Sequence, residues 1–183
     1  MTTMRVLILW LPLVAFSAVA AQPLVHEETW KDVSIAVRSA NSGSINSVAI
    51  FARTTGRILL DTEVMADGQV TGVELADLDA NGYPELYVYV TSVGSGSYGS
   101  LMAFASNRNL SMTPIHLVAL PPESPALVGY LGHDRFRVVD QRLERSFPVY
   151  LSGDTNANPT GGNRRLRYEL VQGEASWLLR LQP

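Results

Sequence analysis

Short runs rich in Val, Ile, Tyr and Phe recur along the chain, each closed by a cluster of Gly, Asn, Asp or Pro. No long stripe of helical period competes with them, so the chain reads as strands and turns. Strands are predicted at 33–38, 48–53, 57–62, 70–75, 86–91, 100–105, 115–120, 135–139, 143–150, 164–171 and 177–181. A single helical turn is predicted at 126–131, after the breaker cluster at 121–125. In Glu85-Leu86-Tyr87-Val88-Tyr89-Val90, successive side chains fall on opposite faces, and both faces are apolar. A strand of that kind is central. The spacing predicts an all-β, single-domain fold, an antiparallel β-sandwich or flattened barrel.

The chain has 183 residues and no cysteine. That length suits one domain, and its core must hold without disulfides, thiolate metal sites or a cysteine nucleophile. Residues 1–21 carry one charge, Arg5, followed by an apolar run interrupted only by Pro12 and Ser17 and ending in Ala18-Val19-Ala20-Ala21. This is the pattern of a cleavable signal peptide, which leaves 22–183 as the expected mature domain. A secreted domain without disulfides fits a bacterial envelope better than an extracellular eukaryotic module. The periplasm is the expected location, with no membrane association once the signal is removed. The mature domain has 13 basic against 17 acidic side chains, a formal charge of −4. Only Arg164, Arg165 and Arg167 look locally basic, which argues against a nucleic-acid partner.

Two segments could carry chemistry. Gly94-Ser95-Gly96-Ser97-Tyr98-Gly99 matches G-x-G-x-x-G, but the run after it is too short for the helix that would hold a pyrophosphate. It also fits G-x-S-x-G in no register, which removes a nucleophile elbow. What remains is three glycines and three hydroxyls in a strand connection. That composition fits a hairpin tip and a binding loop equally.

The second segment, running from Asp77 to Glu85, places oxygen ligands at Asp77, Asp79, Asn81 and Glu85, with glycine at Gly82. The spacing suits calcium, yet position twelve of an EF-hand loop is Val88, and that version is excluded. A turn in which Asp77 and Asp79 accept backbone N–H groups while Gly82 takes a positive φ is the preferred reading. A calcium-dependent secreted binding or adhesion module stays as the alternative function. The histidines His26, His116 and His133 lack zinc spacing. No carboxylate pair stands out for glycan cleavage.

The ordered run of Asp77 to Tyr87, Thr91 to Ser100, Ala103-Phe104, Gly129 to Phe136 and Arg145 to Tyr150, followed by the 153–162 loop, resembles the periplasmic inhibitors of invertebrate-type (I-type) lysozyme. The resemblance implies an inhibitor, not an enzyme, that needs no cofactor, and its partner would be the I-type lysozyme of a host or competitor. It admits a homodimer. In that family an S-G-x-Y element enters the lysozyme cleft, and here it falls on Ser95, Gly96, Ser97 and Tyr98. Ser95 and Tyr98 would face the catalytic carboxylates, Gly96 would permit the turn, and Ser97 would contribute less.

Overall fold

The computed structural model describes residues 22–183, so the expected signal peptide lies outside the described residues. The described residues form twelve strands and one 3-10 turn, Pro125–Leu127. Four strands form a small antiparallel meander in the order β1 (Leu24–Trp30), β2 (Val33–Ser39), β3 (Ile45–Thr54), β4 (Arg57–Asp67).

The other eight form one curled sheet. Its members are β5 (Gln69–Ala76), β6 (Glu85–Thr91), β7 (Gly99–Ser106), β8 (Met112–Leu117), β9 (Arg135–Val139), β10 (Arg142–Pro148), β11 (Asn163–Gln172) and β12 (Trp177–Leu181). They pair in the order β5-β6-β7-β8-β12-β11-β10-β9. Every pairing is antiparallel except β8 with β12, which is parallel. Strand β1 was not expected from the sequence. The helical turn is shorter than expected, and the strand expected at 115–120 runs instead from Met112 to Leu117.

Alternation on β6 decides how the layers stack. Leu86, Val88 and Val90 point to one side and are buried against Val33, Ile35 and Val37 of β2 and Val48 and Ile50 of β3. This seals the small sheet onto the outside of the curled one. Tyr87 and Tyr89 point to the other side, into a second core with Leu143, Phe147, Tyr168 and Leu179. One strand thus serves two cores, as its two apolar faces require.

The curled sheet closes through a side chain. Glu74 on β5 accepts the backbone N–H of Val138 on β9 at 2.7 Å and the Tyr89 hydroxyl at 2.8 Å, while the Tyr89 and Phe136 rings stack at 6.0 Å. Burial, then the Glu74 contact, pushes the Tyr89 phenol far above its ordinary range, so it stays a neutral donor. The fold is therefore one β domain, a nearly closed barrel with a second sheet laid against it, which joins the two architectures the sequence offered.

Candidate functional site

The connection between β6 and β7 spans Ser92 to Tyr98. Its neck is tied twice: Ser92 N–H donates to the Tyr98 carbonyl at 2.8 Å, and Tyr98 N–H donates to Ser92 Oγ at 2.9 Å. Within the loop, Ser97 donates to the Gly94 carbonyl through both its N–H, at 3.1 Å, and its hydroxyl, at 3.2 Å. Ser97 itself takes the left-handed backbone conformation, φ 41°. The glycines were expected to supply that freedom, and Gly96 is needed for a different reason. A Cβ there would lie 2.4 Å from the Tyr98 ring.

Two further loops hold this one from either side. His133 N–H donates to the Gly96 carbonyl at 2.7 Å, and a Cβ on the adjacent Gly132 would lie 2.0 Å from that same oxygen. Gly132 has φ +99° as well, so space and conformation both demand glycine. From the 153–162 loop, Asn156 Nδ2 donates to the Ser95 carbonyl at 2.6 Å and its Oδ1 meets His133 Nε2 at 3.1 Å. Asp154 shapes that loop by accepting Leu151 N–H, Thr160 N–H and the Thr160 hydroxyl. These bonds hold its carboxyl below the ordinary range. The 153–162 loop therefore braces the site.

Beneath the loop lies a buried charged hub that sequence reasoning did not find. The Asp134 carboxylate accepts Gly99 N–H at 2.9 Å, the Tyr130 hydroxyl at 2.6 Å and Arg145 Nε at 2.6 Å. Arg145 lies over the rings of Tyr130, at 4.8 Å, and Phe147, at 5.4 Å. Burial first, then the bond to Asp134, raises the Tyr130 phenol well above its ordinary range and keeps it protonated to donate. Tyr130 in turn meets the Tyr98 ring edge to face at 5.9 Å. The chain of contacts Arg145, Asp134, Tyr130, Tyr98 fixes an exposed aromatic from inside the barrel.

The outward surface is apolar with free hydroxyl donors. Tyr98 is 51 % exposed, and neither its hydroxyl nor that of Ser95 has a partner among the described residues. Val93, Val128, Leu131 and Leu151, on or beside these joined loops, are exposed as well. Exposed apolar side chains on loops bonded to one another make this end of the barrel a candidate interaction surface.

A family model described as periplasmic lysozyme inhibitor of I-type lysozyme matches residues 33–127, more than half of the chain. The chain belongs to that family. No curated protein matches it. Members are inhibitors and not enzymes, are periplasmic, and have I-type lysozyme as their partner. The matched span holds β2 to β8 and the Ser95 to Tyr98 loop of this inhibitor. The bracing loops at 129–134 and 153–162 lie beyond it.

The acidic loop of the inhibitor is a separate feature at the other end of β6. Asp77, Asp79 and Glu85 bring carboxylate oxygens within 4.8 Å of one another. Asp77 accepts the N–H groups of Asn81, at 2.9 Å, and Gly82, at 2.8 Å, and Asp79 accepts both nitrogens of Asn81. Asn81 accepts Tyr83 N–H, and Gly82 has φ +87°. The preferred turn reading describes what these groups do.

Glu85 is 1 % exposed and accepts Leu78 N–H at 2.7 Å. Burial raises its carboxyl to about 8, overcoming that hydrogen bond and helped by the charges of Asp79 and Asp77. In the unfolded chain it returns to the ordinary value of 4.5. Between those values the folded state binds the extra proton, so the contribution of Glu85 to stability is greatest below about 4.5, falls as pH rises, and levels off above about 8. Glu85→Gln keeps the acceptor and removes the ionisation. The variant is expected to gain about 1–2 kcal/mol on the parent between pH 5 and pH 8 in urea unfolding. Parallel profiles would show that Glu85 is ionised in the fold.

Proposed function

We propose that this inhibitor blocks I-type lysozyme by seating the Ser95-Gly96-Ser97-Tyr98 loop in the active-site cleft. The observation that carries the reading is the pairing of two unsatisfied hydroxyls, on Ser95 and Tyr98, with a loop whose backbone is held by bonds from Ser92, His133 and the Asn156 side chain. A glycoside hydrolase that cleaves sugar with a pair of carboxylates must keep both open to substrate. Hydroxyl donors offered to those oxygens satisfy them and exclude sugar together. A loop already held in one conformation loses little entropy on binding, which favours affinity. Turnover is absent from this scheme, since the loop offers neither a nucleophile with a base nor an acid.

The apolar residues Val93, Leu131 and Leu151 extend the contact beyond the four-residue tip. A stable complex buries about 1,600 Å² in all, far more than one tip offers. Adding the purified 22–183 domain to an I-type lysozyme in a cell-wall lysis assay should abolish activity at a one-to-one ratio. Full lysis in the presence of excess domain would refute the reading.

A further inference from the structure

The outer face of strands β9, β10 and β11 carries a charge lattice in a domain that is acidic as a whole. Register sets Arg137 of β9 and Arg167 of β11 on either side of Glu144 of β10. Two residues further along β10 on the same face, Arg135 and Arg165 take the same places on either side of Ser146. Each rung spans two strand spacings, about 10 Å between the outer backbones, a gap that two arginine side chains can close around one carboxylate.

The first rung is complete. Glu144 is 1 % exposed, accepts Arg137 Nε at 3.0 Å and Nη2 at 2.6 Å, and has Arg167 Nε at 3.7 Å. Arg137, and then the neighbouring arginine charges, hold its carboxyl below the ordinary range. The second rung lacks its acid. Arg135 and the Ser146 hydroxyl have no hydrogen-bond or ion-pair partner among the described residues, and the only ion pair of Arg165 is a 4.0 Å contact with Glu144. All three line an open groove of about 840 Å³.

That groove runs up to the braced loop. His133 and Asn156, which hold the loop carbonyls of Gly96 and Ser95, line it too. Arg135 also borders a second cleft with Ser97. The unfilled rung and the loop therefore form one continuous surface.

We infer that the Arg135, Ser146 and Arg165 rung receives a carboxylate from the bound lysozyme, an Asp or Glu side chain on the rim of its cleft, in the way that the neighbouring rung holds Glu144. This rests on the lysozyme-binding reading above and names a second contact for the same partner. Arginine suits the task because its planar fork meets a carboxylate with two parallel hydrogen bonds. Charge at the edge of an interface acts on encounter rate and salt dependence.

Affinity and association rate for an I-type lysozyme are to be measured for the parent domain, Arg135→Ser/Arg165→Ser, Ser146→Asp and Tyr98→Ala, at low and high salt. The double arginine variant should bind about tenfold more weakly, associate more slowly, and lose part of the parent's salt dependence. Ser146→Asp supplies the missing acid from within the chain. It should leave melting temperature unchanged or raised while weakening binding to a similar degree. If Tyr98→Ala weakens binding and neither rung variant does, the inference is overturned and the loop reading stands. If the parent does not bind, both fall. A loss in the double variant with the parent's full salt dependence retained would assign the arginines to packing and overturn the inference as well.

Discussion

Asp134→Ala is expected to lower the unfolding free energy by about 3–5 kcal/mol, the cost of leaving a buried charge without its counter-ion. The Asp134 side chain is wholly enclosed and Arg145 nearly so. Removing the carboxylate strands the guanidinium against the Tyr130 and Phe147 rings, and it also deprives the Gly99 N–H and the Tyr130 hydroxyl of their acceptor. Asp134→Asn keeps an oxygen for one of those donors and should fall between parent and alanine. Replacing both charges, as in Asp134→Asn/Arg145→Met, should recover much of the loss, because an uncharged pair avoids the desolvation cost that the ion pair must offset. Urea unfolding followed by tryptophan fluorescence reads all three. Should Asp134→Ala unfold at the parent's urea midpoint, the hub is not what holds the end of the barrel.

That hub also marks where sequence reading stops. Strands β2, β6 and β9 were legible because their alternation, or their boundaries of Gly, Asn and Asp, is local. The segment that forms β1 carries His26-Glu27-Glu28 and sits at an edge, where its solvated charges hide the strand signal. The parallel pairing of β8 with β12 joins segments some sixty residues apart, and nothing in either segment names the other. Asp134 draws its partners from 99, 130 and 145, which only the closed barrel brings together. The arginine lattice was half visible. Arg164, Arg165 and Arg167 are adjacent in sequence, but alternation turns Arg164 away to donate to the carbonyls of Pro125, Ala126 and Val128, and the other two arginines come from β9 by register. The Ser95 to Tyr98 loop was singled out by its resemblance to family motifs, while the bonds that hold it come from His133 and Asn156, far along the chain.

Tyr98→Ala should weaken lysozyme inhibition by about 2 kcal/mol or more, roughly a thirtyfold loss, with little change in melting temperature. The asymmetry follows from where the ring sits. Half of it is already in water, and among the described residues its ring pairs edge to face with Tyr130 alone, a pair that contributes about 1 kcal/mol to the fold. In the complex the same ring would be enclosed on all sides and its hydroxyl would find an acceptor. Tyr98→Phe separates these terms: it keeps the enclosed ring and removes the hydroxyl. It should lose about 1.5 kcal/mol or slightly more, the cost of one hydrogen bond to a charged group and of an acceptor left without a donor. Ser95→Ala should act in the same direction and more weakly, because its carbonyl remains held by Asn156 and only the side-chain donor is lost. Ser97→Ala should act through the loop itself, since its hydroxyl already donates to Gly94. A ranking in which Ser97→Ala exceeds Tyr98→Phe would place the energetics in loop shape and not in donation to the lysozyme carboxylates. Unchanged affinity in Tyr98→Ala would move the contact to the apolar residues around it, with Val93 and Leu131 the next to replace.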